Sequence, residues 1–176
     1  MNLSFSNQFP WGADTYFIDS IWKGLLHYNI ATADDWSEYM SRHLKKFGNT
    51  WNRSVDLQPK IHTIRRDRKE RWSSDAKIHP IINPRSRLRY QFAPVLKCEN
   101  FQWINIKYFT YRDSEAIVEI YIDGVLYGRS PITRVNDHKG FTTLAQNDGF
   151  LSAAQMFRWF STDYTGKIIH WTPFTY

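Results

Sequence analysis

The chain has 176 residues, 42% of them hydrophobic and 23% charged. That is the length of one ordinary domain and a composition that excludes wholesale disorder. Its single cysteine, Cys98, excludes an intramolecular disulfide framework, and no apolar run is long enough to predict a membrane-spanning helix. The net charge of +6 is local: Lys60 to Tyr90 holds ten basic and three acidic residues, a stretch of +7 that leaves −1 for the remainder, and a local positive field attracts phosphate.

In chain order, Leu3 to Ser6 predicts a short strand. Asp14 or Thr15 is placed to cap a helix with Phe17, Ile18, Ile21, Trp22, Leu25 and Leu26 along one stripe. A second helix is announced by Thr32 and Asp35 as a capping box. Its stripe is Trp36, Tyr39, Met40, Leu44 and Phe47, and Gly48 is its stop. Asn49 to Pro59 is unpatterned and is expected to be an exposed connection.

From Lys60 the pattern turns to strands. Lys60 to Arg65, Ala76 to Ile82, Leu88 to Phe92 and Phe101 to Tyr111 are rich in β-branched or aromatic residues. Ala116 to Ile122 and Val125 to Tyr127 flank Asp123-Gly124, a strong hairpin signal. Ser152 with Gln155 opens a helix through Met156, Phe157 and Phe160, and Lys167 to Trp171 reads as a closing strand. Helices first, then mostly antiparallel strands, then one helix before a last strand predict an α+β fold with a curled or barrel-like sheet.

Within the basic stretch, Arg85, Arg87 and Arg89 alternate with Leu88, Tyr90 and Phe92. A period of two would set three guanidinium groups on one strand face. Arg65, Arg66 and Arg71 are further phosphate candidates. Trp72 is the first candidate for a stacking face beneath a base, and Trp11 the second. The six histidines show no metal-ligand spacing, and no Gly-rich phosphate loop is visible, so no metal and no cofactor is expected.

Three segments together resemble a known family. Lys60-Ile61-His62-Thr63-Ile64-Arg65 is similar to the Lys-x-x-Thr-x-Arg signature strand of ASCH domains, which belong to the PUA-like superfold. Asn147-Asp148-Gly149-Phe150, with the helix after it, resembles that family's acidic-Gly-Phe element. Gly166 to Trp171 resembles the closing strand of its small phage and mobile-element members. The resemblance implies one PUA-like domain over residues 1–176, with a helical insertion at 29–59 where the family passes directly from helix to signature strand.

It also implies an RNA-, nucleotide- or modified-nucleoside-binding module with a basic cleft, at work in the cytoplasm. A more distant likeness, to bacterial N(4)-acetylcytidine amidohydrolases, implies catalytic roles for Lys60, Thr63 and Asp148, the last in place of a glutamate. There a desolvated lysine would activate the threonine hydroxyl and the acid would handle the amide proton. A third reading is a phage-type protein-interaction or anti-defence factor, with a protein partner met through the 29–59 segment.

Overall fold

The computed structural model describes residues 1–51, 57–110 and 115–176. In chain order it contains β1 (Asn2–Ser4), α1 (Phe17–His27), α2 (Ala33–Phe47), β2 (His62–Arg65), β3 (Lys77–Ile82), β4 (Tyr90–Gln91), β5 (Leu96–Lys97), β6 (Asn100–Phe109), β7 (Ile117–Ile122) and β8 (Val125–Pro131). A 3-10 turn (Ile132–Asp137), α3 (Lys139–Asn147), α4 (Ala153–Trp159) and β9 (Tyr164–His170) complete it. The fold is α+β, as the order of patterns predicts.

The strands form two sheets that do not close into a barrel. One has the order β2-β9-β6-β7-β8 and is antiparallel throughout; the other sets β3 between β1, its parallel partner, and antiparallel β4 and β5. The barrel expectation is corrected for a local reason. Among the described residues β2 pairs with β9 alone, in the register His62 opposite His170 and Arg65 opposite Lys167. Its outer side meets a carboxylate, with the Ile64 N–H donating to Asp148 Oδ1 at 3.2 Å.

The long strand β6 is paired on both sides, and alternate residues Ile104 and Ile106 are completely buried. The β7–β8 hairpin turns at Asp123 and Gly124, both at positive φ (50° and 82°), as a two-residue hairpin turn of this kind demands. One hydrophobic core joins the two sheets and the helices, with Phe5 setting its ring edge against Phe17, Phe92 and Trp171.

Thr32 and Asp35 form the full capping box on α2, and Gly48 ends that helix at φ 74°. Its inward face is Trp36, Tyr39, Met40, His43 and Phe47, while Leu44 is 47% exposed. The predicted stripe holds at Trp36, Tyr39, Met40 and Phe47, and His43 stands in place of Leu44. The Asn49 to Pro59 connection is not wholly exposed either, because Trp51 and Leu57 are buried; residues 52–56 lie outside the described residues. At the start of α1 neither Asp14 nor Thr15 is the N-cap: Tyr16 holds that position at φ 54° without a side-chain cap.

The strand expected over Leu88 to Phe92 shrinks to Tyr90–Gln91. Residues 83–89 form a turn in which Asn83 has φ 50°. Arg85, Arg87 and Arg89 therefore stand exposed around a turn rather than on one sheet face. Pro84 and Ser86 within the run favour turn geometry over a ladder.

Candidate functional site

The segment that enters β2 is pinned on both sides. The Lys60 N–H donates to the Ser20 carbonyl of α1 at 2.8 Å, and the Ile61 N–H to the Asn147 carbonyl at the end of α3 at 2.9 Å. Gly24 makes the first contact possible, since a Cβ there would lie 2.4 Å from the Lys60 carbonyl oxygen. The Lys60 side chain then passes beneath Gly149, where φ is +82° and a Cβ would meet Lys60 Cδ at 2.8 Å. Glycine is thus required at 149 for its backbone conformation and for the space above the lysine.

At the end of that path the Lys60 ammonium donates to both the carbonyl and the carboxylate Oδ1 of Asp148, and lies 4.8 Å above the Phe17 ring. The two residues are 88 positions apart and 1% and 3% exposed. Burial dominates their titration: it pulls the lysine down to about 8 against the attraction of Asp148, and it raises the Asp148 carboxyl against Lys60 and Arg65.

Of the expected catalytic trio, then, Lys60 and Asp148 meet directly. Thr63 is buried in β2, and strand alternation sends its side chain to the face opposite His62. None of the three lines a described cavity. Lysine and aspartate here close a buried joint between β2 and the α3–α4 corner.

The cavity nearby belongs to Arg65. Its Nη2 donates to the Ser4 carbonyl at 2.8 Å, its Nε has no hydrogen-bond partner, and the guanidinium lies 5.1 Å over the Phe5 ring. No carboxylate comes within 4.0 Å of it among the described residues. Two adjoining cavities of 320 and 330 Å³ share Arg65 and Trp159 as walls. The first is completed by Ser4, Ser6, Asn7 and Asn83, the second by Arg66, Ser161, Thr162 and Tyr164. Arg66 stacks at 5.2 Å over Tyr164.

The other expected contacts divide. Asn83 and Pro84, at the start of the turn that bears Arg85, Arg87 and Arg89, line the Arg65 cavity, so the arginine loop borders it. Arg89 donates to Asn2 Oδ1 at 3.2 Å. Arg71 instead lies 3.8 Å from Asp67.

Trp72 is corrected outright. It is 4% exposed, a core residue whose carbonyl accepts from Lys167, so no base can stack on it. Lys167 is itself buried, 3.1 Å from Asp67 and flanked by Phe101 and Trp103 at 4.3 and 4.8 Å. Burial alone would raise the Asp67 carboxyl, but the Trp72 and Arg71 amides and the Lys167 ammonium hold it below its usual range.

Trp11, the second stacking candidate, packs flat on Phe9 at 4.6 Å and carries Arg158 at 4.3 Å on its ring. The aromatic shared by both cavities is Trp159, half-buried at the end of α4. Its one trace in the sequence is that it flanks the Met156, Phe157 and Phe160 stripe instead of lying at its centre.

His62 and His170 make a second buried cluster, with rings 5.3 Å apart. His62 Nε2 lies 2.8 Å from the Tyr176 hydroxyl, and both His170 ring nitrogens lack a partner. Among the described residues no group of three His, Cys, Asp or Glu side chains is placed to hold a metal, and no helix is long and apolar enough to cross a membrane. Comparison with protein-family models, with curated proteins and with solved structures gives no match.

Proposed function

We propose that this chain binds a phosphate-bearing nucleobase ligand, either a nucleotide or a nucleotide unit of RNA, in the groove around Arg65 and Trp159. The observation that carries this reading is the state of Arg65. It is a partly buried guanidinium on the shared wall of two cavities, with no carboxylate within 4.0 Å among the described residues and Asp148 acting on its charge only from farther off. An oxyanion supplies the charge-assisted partner that such a group lacks. Trp159 lines both cavities, with Phe9, Trp11 and Phe150 packed against its ring, and stacking on an aromatic ring is the usual way a protein holds an unpaired base. The likeness of Lys60 to Arg65 to the ASCH signature strand is in keeping with this reading.

Titration of cytidine and adenosine monophosphates, and of a short single-stranded oligoribonucleotide, at two salt concentrations tests it. Binding is expected to weaken with salt and to fall roughly tenfold to a hundredfold in Arg65→Ala, the range set by one charge-assisted hydrogen-bonded contact. If affinity ignores both salt and Arg65→Ala, the reading is wrong. Steeper salt dependence for the oligonucleotide, reduced in Arg85→Ala/Arg87→Ala, identifies RNA as the ligand over the mononucleotide.

Amide hydrolysis is the weaker reading, because the Lys60 amine is engaged by Asp148 and walled from every described cavity. Incubation with N(4)-acetylcytidine is expected to release no cytidine. Release by the wild type that is abolished in Lys60→Ala and in the milder Thr63→Val would establish catalysis instead.

A further inference from the structure

A third cavity, of 390 Å³, adjoins the Arg65 groove and shares Asn7, Phe17 and Asn83 with it. It lies between the first turn of α1, the last turns of α2 and the segment that follows α2. Its chemistry differs from that of the groove. The described residues that line it include the aromatics Tyr16, Phe17, Phe47 and Trp51, the amides Asn7, Asn49 and Asn83 and the carboxylates Asp14 and Asp19, and none is Lys or Arg.

His43 stands in its wall, tilted against Phe47 at 4.5 Å and edge-on to Trp51 at 5.2 Å. His43 Nδ1 lies 2.9 Å from the Asn49 carbonyl. A carbonyl only accepts, so Nδ1 carries the proton and Nε2 is left as an acceptor. Burial holds this histidine below its ordinary pKa, which keeps the ring neutral at pH 7. Trp51, 6% exposed, adds an indole ring to the wall, while its N–H is buried and has no hydrogen-bond partner among the described residues. The volume is of the size that small-molecule sites have, and the mixture of apolar walls with a few polar groups is their usual composition.

We propose that this cavity is the base pocket for the ligand of the Arg65 groove, and that it takes a base with an exocyclic amino group, of the cytosine or adenine type. The proposal rests on the reading of Arg65 as the phosphate anchor. A nucleotide joins a planar, uncharged heterocycle to an anion, and the two compartments divide along that line, with Phe17 and Asn83 on the wall between them. The His43 lone pair accepts from the amino group, and the Trp51 and Phe47 rings supply apolar wall beside the base. A base that carries a carbonyl in place of the amino group brings acceptor against acceptor. Sites built to hydrogen-bond a particular group discriminate well against an analogue that lacks it.

The test compares Kd values for CMP with UMP and for AMP with IMP, in wild type, Arg65→Ala and His43→Phe; inorganic phosphate serves as a probe of the anchor alone. His43→Phe keeps a ring against Phe47 and Trp51 but removes the acceptor. The amino-bearing nucleotides are expected to bind roughly tenfold tighter than their oxo counterparts, the worth of one hydrogen bond. His43→Phe is expected to erase that preference while phosphate binding and its Arg65 dependence persist.

Equal binding of all four nucleotides, with Arg65 dependence retained, overturns the base pocket and leaves the phosphate anchor standing. A preference that survives His43→Phe also overturns it. Binding by none of the four removes both readings. Where His43→Phe lowers the melting temperature, Phe47→Ala replaces it: affinity for all four nucleotides is then expected to drop while that for phosphate holds, and no drop refutes the pocket.

Discussion

Lys60 and Asp148 bring opposite charges together in a place where neither can be solvated, and both shifts, the amine downward and the carboxyl upward, show desolvation outweighing attraction. Removing one partner leaves the other charge stranded, so Lys60→Met and Asp148→Leu are each expected to cost about 3–5 kcal/mol in urea unfolding. The double variant should be less destabilised than either single one; additive losses would show that the pair is not the energetic unit. Gly149→Ala belongs to the same contact. It combines a strained backbone with a Cβ 2.8 Å from Lys60 Cδ, and a loss of more than about 1 kcal/mol is expected. The charge and hydroxyl pattern of Lys60, Thr63 and Asp148 was visible in the sequence. Whether the pair faces a cavity or a sealed joint depended on Phe17 and Gly149, residues that no spacing rule connects to it.

At the scale of the element, α2 shows how a correctly read helix face can still differ by one residue, His43 for Leu44. The box and the stop are local hydrogen-bond devices, so Thr32, Asp35 and Gly48 announced them without reference to the remainder of the chain. The buried stripe is a tertiary matter. His43 enters because Asn49 satisfies its Nδ1 and three aromatic rings receive it, and Leu44 is turned outward in consequence. Thr32→Ala is expected to cost about 1 kcal/mol, whereas Leu44→Lys should change stability by less than about 0.5 kcal/mol; thermal or urea melts of the two variants check both values. The helix α3 left little trace in the pattern, because two threonines occupy its exposed side and a histidine, His138, supplies the cap through Nδ1. The arginines of the 83–89 turn mimicked strand alternation, and only Pro84 and Ser86 opposed that reading.

For the whole molecule, the strongest consequence is a dependence of stability on pH. His62 and His170 are both completely buried where β2, β9 and residue 176 meet. Burial brings His170 down to about 4, and burial together with the His170 and Lys60 charges puts His62 well below its usual range. The groups nearest them are mixed: Asp148 lies 3.8 Å from His62 Nδ1, Asp123 favours the charged form of His170, and the Tyr176 hydroxyl is neutral. The unfolded chain binds protons near pH 6.5 and the folded one does not, so stability is full above that pH. It then falls by up to about 1.4 kcal/mol per unit for each histidine as the pH drops toward 4. Unfolding midpoints at pH 7.5, 5.5 and 4.5 should trace this loss, and His170→Phe should flatten it; an unchanged slope would place the acid sensitivity elsewhere.

The sequence by itself determined the α+β class, the strand-rich second part, the caps of α2 and α4, the hairpin at Asp123-Gly124 and the concentration of positive charge between residues 60 and 90. Each of these follows from interactions among neighbours in the chain or from simple charge counting, and such terms act whatever the remote packing. The tertiary structure alone decided that the sheets stay open, that Trp72 is core while Trp159 reaches a cavity, and that Lys60 is sealed while Arg65 lines a cavity wall. Those outcomes turn on which surfaces lose water against partners up to a hundred residues away, and the cost of desolvation is set by where the packed side chains leave space.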